Sequence, residues 1–485
     1  MTTTQEPPIA VLLGLPFHDV TLDETLIHCE KVMRQDECRY MVTANVDFTT
    51  QAYHDADLRK IVFFADRVVC DGMPLVWLSK AFGHPLRERV AGSDMVPLLF
   101  EICAREKLPV YFFGSDTATL EEAKKIVENQ YPGLEICGID APPIGAVVEW
   151  DNEEICRKMR DSGARLLLVC LGCPKQERWI FAHHLETGVP LSIGVGASLD
   201  FITGKQRRAP KWMQKSGFEW FWRMASSPRR LASRYGSDFL FLLKASSRQA
   251  LAQRKRGRIK DAMLQPIAKP RGIIDRVQKM AWEGNLENGI LTGAPLPDSL
   301  EHPVLLDASR IAFMDSSGLG RLAGLVRMCR AAGKLFILVN PSSAVRQAVR
   351  VARMDALFPI VDTEAEALEY LAQHEDVEAT VKDSESGSVV KMAFQYSLDV
   401  LHHERMLAEI AAAISSNKDI KALVIDLSAV DFIDSRAVGG LIRARRMMAE
   451  KGGELYLWNA SPAVAKSITL LRLDKILPEW RDEMS

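Results

Sequence analysis

Leu166-Leu-Leu-Val-Cys-Leu-Gly-Cys-Pro-Lys-Gln-Glu177 runs six apolar residues into a glycine and then turns polar. A continuous apolar run of that length, stopped by glycine and proline, is the pattern of a strand covered on both faces. Working outward from it, further apolar runs stand at residues 9–15, 40–44, 68–70, 110–114 and 191–195. Between them, stretches such as 120–130 and 155–162 space their apolar residues as a helix does. Strand alternating with helix predicts an α/β domain with a Rossmann-like, mostly parallel sheet, whose ligands gather at the C-terminal ends of the strands.

The chain has 485 residues, too many for one hydrophobic core, so several domains are expected. Its nine cysteines are odd in number and scattered, which suits a reducing compartment. The pair Cys170-Leu-Gly-Cys173 has no second pair at ligand spacing, so buried small side chains are expected there rather than metal or redox chemistry. The start of the sequence lacks a basic region before its short apolar run and does not read as a secretory signal. No stretch reaches the roughly 18 to 20 apolar residues of a spanning helix. A cytoplasmic location is expected, with membrane contact still open.

The net charge of −2 hides a local asymmetry. Residues 204–260 hold sixteen Lys or Arg against two acids, Glu219 and Asp238, with Trp212, Phe218, Trp220, Phe221, Trp222, Tyr235 and Phe239 interleaved. That composition suits the anionic surface of a membrane. Nucleic acid would also use basic and aromatic residues, but no nucleic-acid motif accompanies the patch, and none is expected as a partner. Beyond residue 270 the chain repeats itself at an offset of 119. Val304-Leu-Leu-Asp-Ala-Ser309 matches Leu423-Val-Ile-Asp-Leu-Ser428, Phe313-Met-Asp-Ser316 matches Phe432-Ile-Asp-Ser435, and Gly333, Asn340, Asp355 and Pro359 match Gly452, Asn459, Asp474 and Pro478. Two copies of one small α/β unit are predicted. The expected layout is a core over 1–203, a basic appendage over 204–265, one repeat over 270–374, an acidic linker over 375–388 and a second repeat over 389–485.

Polar residues and glycines cluster where the strands run out. Val42-Thr-Ala-Asn-Val-Asp47 places Thr43 and Asn45 at one such end, and Val69-Cys-Asp-Gly-Met-Pro74 places Asp71 at another. Arg89-Val-Ala-Gly-Ser-Asp94 offers a guanidinium and then small residues leading into a helix, a setting that can hold phosphate. Phe112-Phe-Gly-Ser115, Lys175-Gln-Glu177 and Gly194-Val-Gly-Ala-Ser-Leu-Asp200 end further strands. One Asp-x-Asp string, Asp55-Ala-Asp57, lies in a polar, helix-like stretch and is expected to face solvent rather than bind metal.

Taken in order, TANVDF, CDGMPLVW, ERVAGSD, FFGS, LGCPKQE, GVGASLDFITGKQRRAPKW and FEWFWR…PRRLASRY resemble the WecG/TagA/CpsF glycosyltransferases over about residues 9–240. The resemblance implies inverting transfer of a sugar from a UDP-sugar to a polyprenyl-diphosphate-linked acceptor, in cell-surface or exopolysaccharide synthesis at the inner face of the membrane. It makes Asp71 the base, sets Thr43 and Asn45 at the active site, and puts Gln176 and Arg89 near donor or substrate. It also implies that the appendage contributes Arg223, Arg230 and Arg234 to the departing diphosphate, so that no metal cofactor is needed. Such chemistry requires a base for the acceptor hydroxyl and positive charge or N–H donors for the leaving group. The family tendency and the added domains suggest a homo-oligomer.

In the second half, Asp315-Ser-Ser-Gly-Leu-Gly320 resembles the signature of STAS domains, the anti-sigma-factor antagonist family. The resemblance makes Ser316 a candidate for phosphorylation by a regulatory kinase, with the serine expected to cap the following helix. The second copy, Asp434-Ser-Arg-Ala-Val-Gly439, keeps Ser435 but replaces small residues by Arg436 and Ala437. Two readings follow: a transferase regulated or localised by its STAS pair, or a phosphorylation-switched binding protein with the first half as scaffold. The intact order of strand-end motifs favours the transferase.

Overall fold

In the computed structural model, the described residues are 7–205 and, with short gaps, 277–375 and 380–480, with four residues alone between 206 and 276. Arg223, Arg230 and Arg234, and nearly all of the basic appendage, lie outside the described residues. The chain forms two units: residues 1–141, 159–177 and 188–367, and residues 142–158, 178–187 and 368–485.

The first unit opens with β1 (Ile9–Leu12) and β2 (Leu15–His18), an antiparallel hairpin forming its own two-stranded sheet. The single strand expected over 9–15 is thus broken. Leu13 and Gly14 take φ values of 52° and 88° and reverse the chain between two apolar halves. Helix α1 (Leu22–Met33) follows, started by a capping box of Thr21 and Glu24. Then come β3 (Arg39–Ala44), α2 (Val46–His54), α3 (Ala56–Phe63), β4 (Arg67–Cys70), α4 (Met73–Ala81) and α5 (Gly92–Glu106). The alternation continues through β5 (Val110–Gly114), α6 (Thr117–Gln130), β6 (Ile136–Asp140), α7 (Asn152–Asp161), β7 (Leu166–Cys170), α8 (Lys175–His183), β8 (Leu191–Gly194) and α9 (Ser198–Ile202).

Six of these strands make one sheet in the order β4-β3-β8-β7-β5-β6, every neighbouring pair parallel. The expected parallel sheet is present, and five of its strands fall on the runs read from the sequence. β6 was not foreseen: it lies at an edge, only partly buried beyond Ile136, and so lacks a continuous apolar run. Leu166, Leu168, Leu191, Ile193, Val110 and Phe112 line one face of the sheet and are fully buried against α1, α5 and α6 residues such as Val32, Leu99 and Leu120. Each such side chain contributes about 1.5 to 3 kcal/mol by leaving water.

The same unit holds the first repeat: β9 (Gln278–Leu286), β10 (Val304–Met314), α10 (Ser316–Ala331), β11 (Phe336–Val339), α11 (Ser343–Val351) and β12 (Ile360–Val361), with parallel order β12-β11-β10-β9. After α12 (Glu364–Glu375), the second unit holds β13 (Thr380–Asp383), β14 (Val389–Ala393), α13 (His403–Ser416), β15 (Ala422–Asp426), α14 (Ser435–Glu450), β16 (Glu454–Trp458) and α15 (Pro462–Leu470). Its sheet runs β13-β14-β15-β16, with β13 antiparallel. The acidic stretch expected as a plain linker therefore supplies an edge strand.

The repeat holds down to single backbone bonds. Gly333 and Gly452 take φ values of 65° and 71°, and Asn340 and Asn459 take 46° and 54°. Leu338 N donates to Pro359 O and Leu457 N to Pro478 O, both at 3.0 Å. The Asp307 and Asp426 carboxylates accept from the amides of Ser309 and Ser428 at 2.8 and 2.9 Å.

Candidate active site

Four consecutive neighbours in the sheet, β4, β3, β8 and β7, carry the strand-end motifs side by side at their C-terminal edge. Asp71 follows β4, and its amide donates to Ala44 O of β3 at 2.9 Å. Gly72 begins α4 without a side-chain cap, and a Cβ there would stand 3.8 Å from Asn45 Cα. The two strand tips are thus in contact. Asn45 Oδ1 accepts from Phe48 N at 3.0 Å and starts α2, so this side chain shapes the strand tip.

Arg89 arrives from the segment between α4 and α5. Its Nη1 stands 3.6 Å from Asp71 Oδ1, and its Nη2 donates to Asp94 Oδ2 at 2.5 Å. The Arg89 and Asp71 side chains keep 15% and 23% exposure, enough to be reached from solvent. Thr43 Oγ1 donates to Gly194 O at 3.5 Å, joining β3 to β8, and lies 3.6 Å from where a Cβ on Gly92 would stand at the start of α5.

Gln176 sits at the same edge, but its role differs from a simple donor contact. Its Oε1 accepts from Gly172 N and Gly196 N, both at 3.1 Å, and its Nε2 donates to Glu177 Oε1 at 2.7 Å. It is 5% exposed and lies across Gly194, where a Cβ would come within 2.6 Å of Nε2. The side chain ties two glycine turns together and thereby shapes the floor of the edge. Glu177 was missed in the sequence. It is 4% exposed, and burial pushes its carboxyl up to about 7, against the pull of hydrogen bonds from Gln176 and Cys173. No spacing marks it, since its burial arises only in the fold.

The Asp55-Ala-Asp57 string serves the fold: Asp55 Oδ1 caps α3 by accepting from Leu58 N at 3.0 Å. Cys170 is buried, and desolvation pushes its thiol up, so it stays a protonated, unreactive group. Among the described residues, Cys156, His183 and Glu186 of the second unit bring metal-type ligand atoms within 4.8 Å of one another, and none of them belongs to the strand-edge cluster. No described helix is long and apolar enough to cross a membrane.

The STAS signature corrects one expectation. Ser316 does not cap α10. Asp315 does, its Oδ1 accepting from Ser317 N and Gly318 N at 2.8 and 3.2 Å, while Ser316 is the first helical residue and fully buried. Asp434 caps α14 in the same way, accepting from Arg436 N and Ala437 N at 3.0 and 2.9 Å. The altered residues of the second copy leave the cap intact, and Ser435 is likewise the first residue of its helix.

A parallel α/β sheet that sets a carboxylate, a guanidinium and small hydrogen-bonding side chains along neighbouring strand tips suits the frame of a glycosyltransferase. The chain belongs to the WecG/TagA/CpsF glycosyl transferase family, which matches residues 10–256. The STAS domain matches residues 257–367 and 380–484. Similar proteins include the N-acetylglucosaminyldiphosphoundecaprenol N-acetyl-beta-D-mannosaminyltransferases of Bacillus spizizenii, 29% identical over 44% of this chain and 82% of the relative, and of Bacillus subtilis, 25% identical over 45% and 83%. The enzyme of the same name from Staphylococcus aureus is 24% identical over 45% and 85%. The inward-facing anion transporter Slc26a9 of mouse is similar over 32% of this chain and 30% of its own at 11% identity, with a TM-score of 0.18, too slight a likeness to carry an argument.

Proposed function

We propose that the first half of the chain transfers an N-acetylhexosamine, with inversion, from a UDP-sugar to a GlcNAc-diphosphate-polyprenyl acceptor at the inner face of the membrane. The observation that carries this reading is the gathering of Asp71 after β4, Thr43 and Asn45 at the end of β3, and Gln176 after β7 along one edge of the sheet, with Arg89 3.6 Å from Asp71. The acceptor class follows the names of the similar enzymes.

Asp71 takes the proton of the acceptor hydroxyl as that oxygen attacks the anomeric carbon, and the UDP departs from the opposite face. Arg89 and the Asn45 amide stabilise charge that grows on the reacting groups, which is where fixed donors lower the barrier most. Arg223, Arg230 and Arg234 complete the cationic lining for the diphosphate, without a divalent ion. The basic, aromatic stretch around them rests on anionic lipid, and the STAS pair regulates or tethers the enzyme. A purely phosphorylation-switched scaffold fits less well, because Ser316 is fully buried.

The test is direct. Full-length protein is given a GlcNAc-diphosphate-lipid and a panel of UDP-sugars, with and without a chelator, and the lipid product is resolved by mass. Transfer of one N-acetylhexosamine that survives chelation is expected. No transfer from any UDP-sugar would overturn the reading. Loss of transfer on chelation would overturn its metal-independent part. Flotation of the same protein with anionic but not neutral vesicles tests the membrane contact.

A further inference from the structure

The first STAS domain shares its unit with the transferase, and its signature helix faces the enzyme. His84 lies between the two. Its Nε2 is 2.9 Å from Asp315 Oδ2, and its Nδ1 is 2.6 Å from Ser317 Oγ. The His84 and Asp315 side chains are only 10% and 8% exposed. Both ring nitrogens are engaged at once, Nε2 with the Asp315 carboxylate and Nδ1 with the Ser317 hydroxyl. Asp315 therefore holds two jobs, capping α10 with Oδ1 and gripping His84 with Oδ2.

The contact continues along α10. A Cβ on Gly320 would collide with the Ile9 carbonyl of β1, so the helix rides on the hairpin backbone. Arg327 Nη2 donates to Asp66 O at 2.9 Å, and the Arg330 guanidinium lies 3.4 Å from the centre of the Phe64 ring. Val11 and Phe63 of the transferase are buried in one cluster with Leu306, Leu322 and Val326 of the STAS domain.

His84 is also five residues before Arg89, in the segment that joins α4 to α5. At its other end this segment is fixed by Val90 N donating to Cys70 O at 2.9 Å, next to Asp71. The geometry points to the first STAS domain as a positioning element of the transferase: by gripping His84 through Asp315 and Ser317, it sets the segment that carries Arg89 against Asp71. The surface of the STAS signature thus has the enzyme of its own chain as partner. This inference rests on the transferase reading for its kinetic half and on geometry alone for its structural half.

Two variants test it in the full chain. His84→Ala removes the grip. Gly320→Ala improves the intrinsic helix propensity of α10 while pushing the helix off the hairpin, so undocking is separated from unfolding. Amide exchange is read over residues 83–91 and transfer kinetics are read beside it. The expected result is at least tenfold faster exchange in that segment for both variants, a fall in kcat of about tenfold for His84→Ala, and partial recovery in His84→Gln, which keeps a donor to Asp315. Asp315→Asn, which keeps the cap acceptor, should add little to His84→Ala. Unchanged exchange and kinetics in both variants would overturn the proposal, and so would a kcat loss with no change in exchange. If even the wild type transfers no sugar, the transferase reading fails while the exchange measurement still decides the docking.

Discussion

Arg89 meets Asp71 across the tip of β4, with Nη1 3.6 Å from Oδ1, while Asp94 holds its Nη2 at 2.5 Å. The guanidinium is thereby fixed by a second carboxylate and can stay in place when a substrate hydroxyl enters beside the first. Asp71→Asn keeps the shape and the backbone bond to Ala44 but removes the proton acceptor. We expect kcat to fall by about 10²- to 10⁴-fold with an unchanged melting temperature, read by product formation and thermal denaturation. Turnover within a few-fold of wild type would remove Asp71 as the base.

Gly194→Ala should act through Gln176. The added methyl meets Nε2 at 2.6 Å, so the amide must leave the bonds it makes to Gly172 and Gly196. Overpacking of this kind costs about 1 to 3 kcal/mol. Chemical denaturation should show that loss, and transfer should fall with it, because both turns border the edge. Wild-type stability would mean that the Gln176 bonds do not shape the floor.

Glu177 gives a pH signature. Its folded carboxyl titrates at about 7, above its ordinary 4.5, so between those values the folded protein holds a proton that the unfolded chain has released. Stability from this group is therefore full below pH 4.5 and falls as pH rises through 7, with a total of up to about 3 kcal/mol. Glu177→Gln removes that term. The variant should gain on the wild type in urea midpoint as pH is raised from 5 to 8. Parallel curves for the two proteins would show that the carboxyl is not held protonated.

Ser316→Glu is commonly read as a phosphate mimic, but here the position is fully buried. An unpaired carboxylate placed there should cost several kcal/mol rather than act as a surface switch. A clear drop in melting temperature is expected, and a variant as stable as the wild type would show that the position opens freely to water.

The sequence made the central sheet legible because its strands are covered on both faces and so read as apolar runs. It hid what depends on single dihedrals or on tertiary burial. The reversal at Leu13 and Gly14 looked like the middle of one strand, since both halves are apolar. Edge strands β6 and β13 carry mixed residues: the first drew no reading and the second fell inside the stretch read as a linker. Asp71, Asn45 and Thr43 were visible as polar residues stopping apolar runs, and they do share one edge. The capping role went to Ser316 in the sequence, whereas the carboxylate before it makes both bonds. Glu177 was invisible because its raised carboxyl comes from burial in the folded chain, which no local pattern marks.

The opening hairpin has a consequence for synthesis. Val11 is buried with residues that leave the ribosome some three hundred positions later, and Gly14 packs at 2.7 Å, measured to its would-be Cβ, from Ala352 O. A nascent chain stopped before the first repeat would display that apolar ribbon to water, so the amino-terminal half is expected to need a chaperone, or its own downstream partner, to escape clumping.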